Sequence, residues 1–484
     1  MNRRTFIHAA GSGLAGWFGF TETGRPVSAL RKLLEDSPRE RIPCELVRMI
    51  RRGLRYEDLL AALSLAAARN VQPYPDVGFK YHSVMVLRSI HLATQHLSSE
   101  DKWLPIVWAT DYFKDTQAQE RATGGWRLPM RRVAPIGNPQ AARRALATAL
   151  DNWDRDAADA AIVRYAQAAS PDEIFSLLFP YGARDLRAIG HKAITVSNAH
   201  SLIAFLGSAH AEPILRSTVA ALQNSDGGPN PASHELQPDR PWRRNQQLLR
   251  NIPLSWKQGR DDPGARAELH ATLYRVSPEE AGTAVAELLR RGISPEAIWR
   301  VLFDTAAEMI MRRPSIVLLH AQTTANALHY AYRVCGNEQT RQLMLLQCAA
   351  FMATFREMTD STQPDRSLEA LQPLPLEDAG GDAIGEIFSD LSAGYRSQAV
   401  RKSLGYLQKG GDAEALIANA RHYLVYNADE AHDYKFSEAV FDTYSHLSDS
   451  AWQCRFLSAG MAYFKAPGRR PGPVIEETIE LLHA

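Results

Sequence analysis

An imidazole and an amine three residues apart on one helix face are the groups in this sequence best placed to do chemistry together. His432 and Lys435 stand so in Ala431-His432-Asp433-Tyr434-Lys435-Phe436-Ser437-Glu438-Ala439, where Phe436, Ala439, Val440 and Phe441 predict a helix. Two such groups share a buried site on one of two conditions. Either the lysine is neutral, or carbon dioxide has converted it to a carbamate that ligates metal through oxygen. An isolated pair would read as a solvated helix face. The segment that carries His432, however, recurs along the chain.

One arrangement occurs in four copies. The first copy has Glu45 to Gly53, then Tyr56 to Leu63, then Lys80-Tyr81-His82-Ser83-Val84-Met85. The second has Ala161 to Ala166, then Ser170-Pro171-Asp172-Glu173, then Gly190-His191-Lys192-Ala193-Ile194. In the third, Val285 to Gly292 is followed by Ser294-Pro295-Glu296 and by Leu319-His320-Ala321-Gln322-Thr323. The fourth runs Val400 to Leu407, Gly411 to Leu416, and then His432 to Lys435. Serine followed by proline and acids predicts a helix start, with the serine as N-cap and proline at the first helical position. Further helices are expected to begin near Trp103, Pro213, Arg341 and Trp452. The expectation is an all-α fold of four helical repeat units packed around a central buried site, with Leu, Ala, Arg and Glu dominant and alternating β-branched runs nearly absent.

A second set of histidines, His91, His200 and His329, follows the repeat histidines by nine residues. At about 100° per residue these turn to the other side of a straight helix. The fourth unit carries Phe441 at that position, so His82, His191, His320 and His432 are assigned to the shared site and His210 is held in reserve. Four neutral imidazoles with an anionic oxygen donor suit a divalent ion such as iron, manganese, zinc or nickel. Ligands this far apart in sequence point to a catalytic centre in a helical core rather than a structural zinc site. Lys435, once carbamylated, would supply the balancing oxygen. Asp433 and Lys192, beside presumed ligands, are candidates for orienting an imidazole or binding substrate.

Composition bounds the alternatives. Lys+Arg of 55 against Asp+Glu of 54 in 484 residues leaves no excess charge for a polyanion, so nucleic acid is not an expected partner. The four cysteines, Cys44, Cys335, Cys348 and Cys454, lack CxxC spacing and read as buried free thiols. No HExxH, GxSxG or Walker loop is present, which argues against a common metalloprotease, an α/β-hydrolase or a P-loop NTPase. Asn2-Arg3-Arg4-Thr5-Phe6-Ile7, with the Gly/Ala-rich apolar run up to Phe20, resembles a twin-arginine export signal. Residues 1–25 are therefore expected to be a signal segment that uses the twin-arginine export machinery, and the protein to be periplasmic. No stable membrane span is expected elsewhere. Residues 26–484 would form a single helical domain with loop excursions near 224–244 and 359–382 that cover the pocket.

His82-Ser83-Val84-Met85 with Trp103-Leu104-Pro105-Ile106, Gly190-His191-Lys192-Ala193-Ile194, Leu319-His320-Ala321-Gln322-Thr323-Thr324 and His432 to Ala439 resemble, in that order, the conserved blocks of the questin oxidase-like family. That family includes enzymes that open anthraquinone rings with molecular oxygen. The resemblance implies a non-haem iron centre held by four histidines and a carboxylated lysine, which here would be His82, His191, His320, His432 and Lys435. The expected function is thus a metal-dependent oxygenase, with Fe2+ (or Zn2+ or Mn2+) as cofactor, acting with O2 on an aromatic or quinone-like small molecule. In the periplasm, without NADPH, a reductant-free dioxygenase-type reaction fits best. The alternatives are a metal-dependent hydrolase with the same ligands and a non-catalytic helical-repeat interaction protein.

Overall fold

The Ser-Pro signals start helices where the sequence places them. Ser170 caps the helix Pro171–Ala183: its hydroxyl accepts from Glu173 N at 3.3 Å, and the Glu173 carboxylate accepts from Ser170 N at 2.8 Å. Ser294 caps Pro295–Arg312 through Ala297 N at 3.2 Å. The computed structural model describes residues 24–73, 79–134, 138–223, 228–230, 233–358, 367–377, 381–468 and 470–484. The expected export signal, up to residue 23, lies outside the described residues. Among the described residues the fold is all-α, with 23 α-helices, no strand, and a single isolated bridge between Arg260 and Ile293. No described helix is long and apolar enough to cross a membrane.

All four units are present, and each holds one helix more than the sequence pattern reveals. Unit one comprises Gly24–Asp36, Ile42–Arg51, Tyr56–Asn70, the broken helix His82–Met85 and Leu87–Thr94, and Leu104–Ala122. Unit two comprises Pro139–Asp151, Arg155–Ala166, Pro171–Ala183, His191–Leu206 and Ala211–Leu222. Pro263–Leu273, Pro278–Arg290, Pro295–Arg312, Ile316–Val334 and Glu338–Glu357 form unit three, and Ala383–Ser392, Arg396–Gln408, Ala413–Asn427, Ala431–Tyr444 and Ser450–Gly460 form unit four. The turn after the second helix repeats as well. Gly53, Gly292 and Gly410 have φ of +88°, +77° and +85°, and the next residue donates back to the helix in each case (Leu54 N to Met49 O, Ile293 N to Leu288 O, Gly411 N to Tyr406 O). This is the left-handed helix stop that glycine allows without strain.

The stretch near 224–244 is not wholly a loop, because Arg240–Leu248 is helical and buries Trp242, Asn245 and Leu248. Cys335 and Cys348 are buried as expected, whereas Cys44 is exposed and Cys454 half-buried. Cys44 sits on the polar face of the Ile42–Arg51 helix, whose apolar face is carried by Ile42, Leu46 and Val47.

The fourth helix of each unit forms the centre. His191–Leu206 packs on Ile316–Val334, which packs on Ala431–Tyr444, which packs on Leu87–Thr94, which returns to His191–Leu206. The ring therefore closes in chain order. Its helices run in one direction. Beyond the His320–His432 contact Asn326 Nδ2 donates to Asp442, beyond His82–His191 Asn198 Nδ2 donates to Met85 O, and beyond His82–His432 Arg88 donates to Asp442, each at 2.9 Å. One pair keeps equal register. His191 meets His320 at the start, Ser197 Oγ donates to Ala327 O at 2.7 Å further on, and His200 Nδ1 lies 2.8 Å from Tyr330 Oη beyond that. Each repeat histidine lies in the first or second turn of its helix, so four helix N-termini converge where the imidazoles are.

Candidate metal centre

His82, His191, His320 and His432 meet in space. One nitrogen from each lies within 4.8 Å of all the others, and all four residues are buried. Around one ion with bonds of about 2.0–2.1 Å, neighbouring nitrogens stand about 3 Å apart and opposite ones about 4 Å. The Nε2 atoms of His191 and His320 are 2.9 Å apart. The rings touch edge to face in chain order, with centroid distances of 4.9 Å (His82 to His191), 4.6 Å (His191 to His320), 5.1 Å (His320 to His432) and 4.5 Å (His432 to His82).

Burial and outward hydrogen bonds prepare these rings to donate lone pairs. Burial first, then the charges of the neighbouring imidazoles and of Lys435, hold His191 well below the ordinary imidazole range. Burial, Lys435 and His432 do the same for His320. The Nδ1–H of His320 donates to Ile316 O at 2.6 Å, and that of His432 to the Glu430 carboxylate at 3.1 Å. Each bond turns Nε2 toward the other rings. His432 Nε2 has no hydrogen-bond partner among the described residues.

Lys435 follows His432 by one helical turn. Its side chain is 3% exposed and its Nζ has no hydrogen-bond partner among the described residues. Burial lowers its ammonium to about 7, with only Glu430 acting the other way. An amine held at that value is partly neutral at physiological pH and can attack carbon dioxide, which an ordinary surface lysine does poorly. The donor set fits a divalent ion: four neutral imidazoles supply nitrogen, and Lys435 as a carbamate would supply anionic oxygen.

Two other expected groups are committed elsewhere. Asp433 caps its own helix, accepting from Asp429 N at 2.9 Å and Glu430 N at 3.3 Å, and pairs with Lys465 Nζ at 3.1 Å. Lys192 Nζ pairs with Asp185 at 2.8 Å and lies 5.7 Å from the centre of the Trp153 ring. None of these contacts involves an imidazole. The second histidine set faces outward, as nine residues of rotation predict. His91 packs on Phe205, His200 on Phe175 and Tyr330, and His329 on Trp299 and Phe303. His210 ends a short 3-10 turn outside the four-histidine group.

The group that sequence reasoning misses is Glu430. It precedes the helix and looks like an ordinary cap, yet its carboxylate orients His432 and is the one acid acting on Lys435. Gly190, in the sequence merely the neighbour of His191, has φ of +87° and brings the start of the His191 helix against Thr324, one turn beyond His320. No family model, curated protein or solved structure matches the chain.

Proposed function

We propose that the protein is a non-haem iron oxygenase of the questin oxidase-like kind, acting with O2 on an electron-rich aromatic or quinol substrate. The observation that carries this reading is the ring of four buried imidazoles beside a buried lysine with no hydrogen-bond partner among the described residues. Left without a ligand, His432 Nε2 and Lys435 Nζ would each cost about 1–3 kcal/mol as unsatisfied buried polar groups. That cost argues against a merely structural cluster.

Electrostatics narrows the ligand. The helices that carry His191, His320 and His432 each turn an N-terminus, with its partial positive charge, toward the site. A divalent cation added to neutral imidazoles there requires negative compensation. Carboxylated Lys435 supplies it, and an anionic phenolate substrate would add to it.

His82, His191, His320, His432 and carboxylated Lys435 would hold the ion, and bound iron would supply electron transfer to O2 and Lewis acidity. The chain's own groups do the rest. Glu430 holds the proton on His432 Nδ1, Ile316 O holds that on His320 Nδ1, and the surrounding core keeps bulk water from the site. The twin-arginine-like start supports export of the folded, metal-loaded protein, and a reaction needing no NADPH.

Elemental analysis of purified protein, with His320→Ala and Lys435→Ala alongside, tests the reading. Stoichiometric metal in the wild type, lost in both variants, is expected. Oxygen consumption with phenolic or quinol substrates then separates an oxygenase from a hydrolase using the same ligands. A wild-type protein that retains no metal after reconstitution would end the proposal.

A further inference from the structure

His191 is delivered to the site by a corner that L-amino acids avoid. Ile189 has φ of +42° and Gly190 has φ of +87°. A β-branched residue in that region is strained and persists only where its surroundings over-determine it. Among the described residues just one other non-glycine has positive φ, Trp153 at +52°, and its ring lies over Lys192, next in sequence to His191. Both backbone outliers thus bear on one segment.

Buried ion pairs hold that segment. Asp185 and Lys192 close it at 2.8 Å, with both side chains 1% exposed. Arg187, in its middle, grips Asp239 through two bonds of 2.9 and 2.5 Å, with side chains 4% and 3% exposed. Arg187 Nη1 also donates to Pro229 O at 2.5 Å, and Leu186 N to Pro238 O at 3.3 Å. The stretch around Pro229 and Pro238–Asp239, well beyond His191 in sequence, therefore clamps the corner from outside.

We propose that the Arg187–Asp239 pair positions His191, so that metal affinity depends on Asp239, a residue in contact with no ligand. The pair opposes relaxation of the Ile189–Gly190 corner and keeps the Nε2 of His191 within 2.9 Å of that of His320. This inference rests on the metal-site reading above. Bidentate geometry matters here, since a planar guanidinium fork fixes direction as well as distance.

The test uses the full chain titrated with cobalt(II), whose visible absorption reports the number and arrangement of its ligands. Asp239→Asn should weaken cobalt binding by about 10-fold or more and shift the spectrum toward that of His191→Ala. Asp239→Glu should recover most of the affinity. Should Asp239→Asn fail to fold, the double variant Arg187→Met with Asp239→Leu removes both buried charges and carries the same expectation. A folded variant with wild-type affinity and spectrum, whatever its melting temperature, overturns the inference. No cobalt binding by the wild type would instead refute the metal centre itself.

Discussion

Replacing Gly190 by alanine should damage the protein at its centre. At φ of +87° an alanine costs about 1–2 kcal/mol in backbone conformation alone. Its Cβ would also lie 1.9 Å from Thr324 Oγ1, 2.8 Å from Cγ2 and 2.9 Å from Cβ. Rotating Thr324 moves the first two atoms but leaves its Cβ in place, so the His191 and His320 helices must separate. Overpacking of this kind costs about 1–3 kcal/mol, for a total near 2–5 kcal/mol. Gly53→Ala is the control, because Gly53 has φ of +88° with nothing within 4 Å of its would-be Cβ. It should lose about 1–2 kcal/mol and keep its metal. Urea unfolding of both variants without metal, followed by metal titration of each, separates backbone cost from packing cost. Equal destabilisation in the two variants, with unaltered metal affinity in Gly190→Ala, would refute the close-approach argument.

Two further outcomes follow from buried charges away from the imidazoles. Asp304 accepts from Trp452 Nε1 at 2.5 Å, and burial pushes its carboxyl up to about 7. The folded state then holds a proton that the unfolded chain releases near pH 4, so this group favours folding below pH 4 and that benefit is lost as pH rises toward 7. Asp304→Asn should flatten the decline, by about 4 kcal/mol at most, read from urea midpoints between pH 4 and 7; an unchanged slope would exclude Asp304 as its source. Arg88 joins Asp442 at 2.9 Å and Asn326 at 3.3 Å, linking three helices of the ring. Burial raises the Asp442 carboxyl, but Arg88 and Asn326 outweigh it and bring it down to about 2. Arg88→Met, which leaves the half-buried Asp442 carboxylate with only Asn326 at 2.9 Å and His446 at 3.6 Å, should cost about 1–3 kcal/mol, and Arg88→Met with Asp442→Leu should recover much of it. Thermal unfolding of the single and double variants checks this, and a double variant as unstable as the single one would count against it.

Much of the site was legible in the linear chain because its signals are local. One helical turn puts His432 and Lys435 on a common face, and nine residues turn His91, His200 and His329 away from it. Serine caps and stop glycines mark helix ends within a few residues, so the four-unit layout could be counted. The leading helix of each unit carries no such serine mark. The first copy, Gly24–Asp36, and its counterpart Pro139–Asp151 share little beyond an amphipathic pattern, and such a pattern recurs in any helical protein.

What the sequence by itself determined is the set of imidazoles, the neighbouring lysine and an all-helical chain built four times over. Tertiary structure alone decided that the four central helices run parallel and close into a ring in chain order, which turns distant histidines into one cluster. It also chose the partners of the charges. Lys192 went to Asp185, Asp433 to its own helix start, and Glu430 to His432. The physical reason is range. Helical periodicity and capping act over a few residues, whereas the partner of a buried charge depends on how helices far apart in sequence pack, and no short stretch of chain encodes that packing.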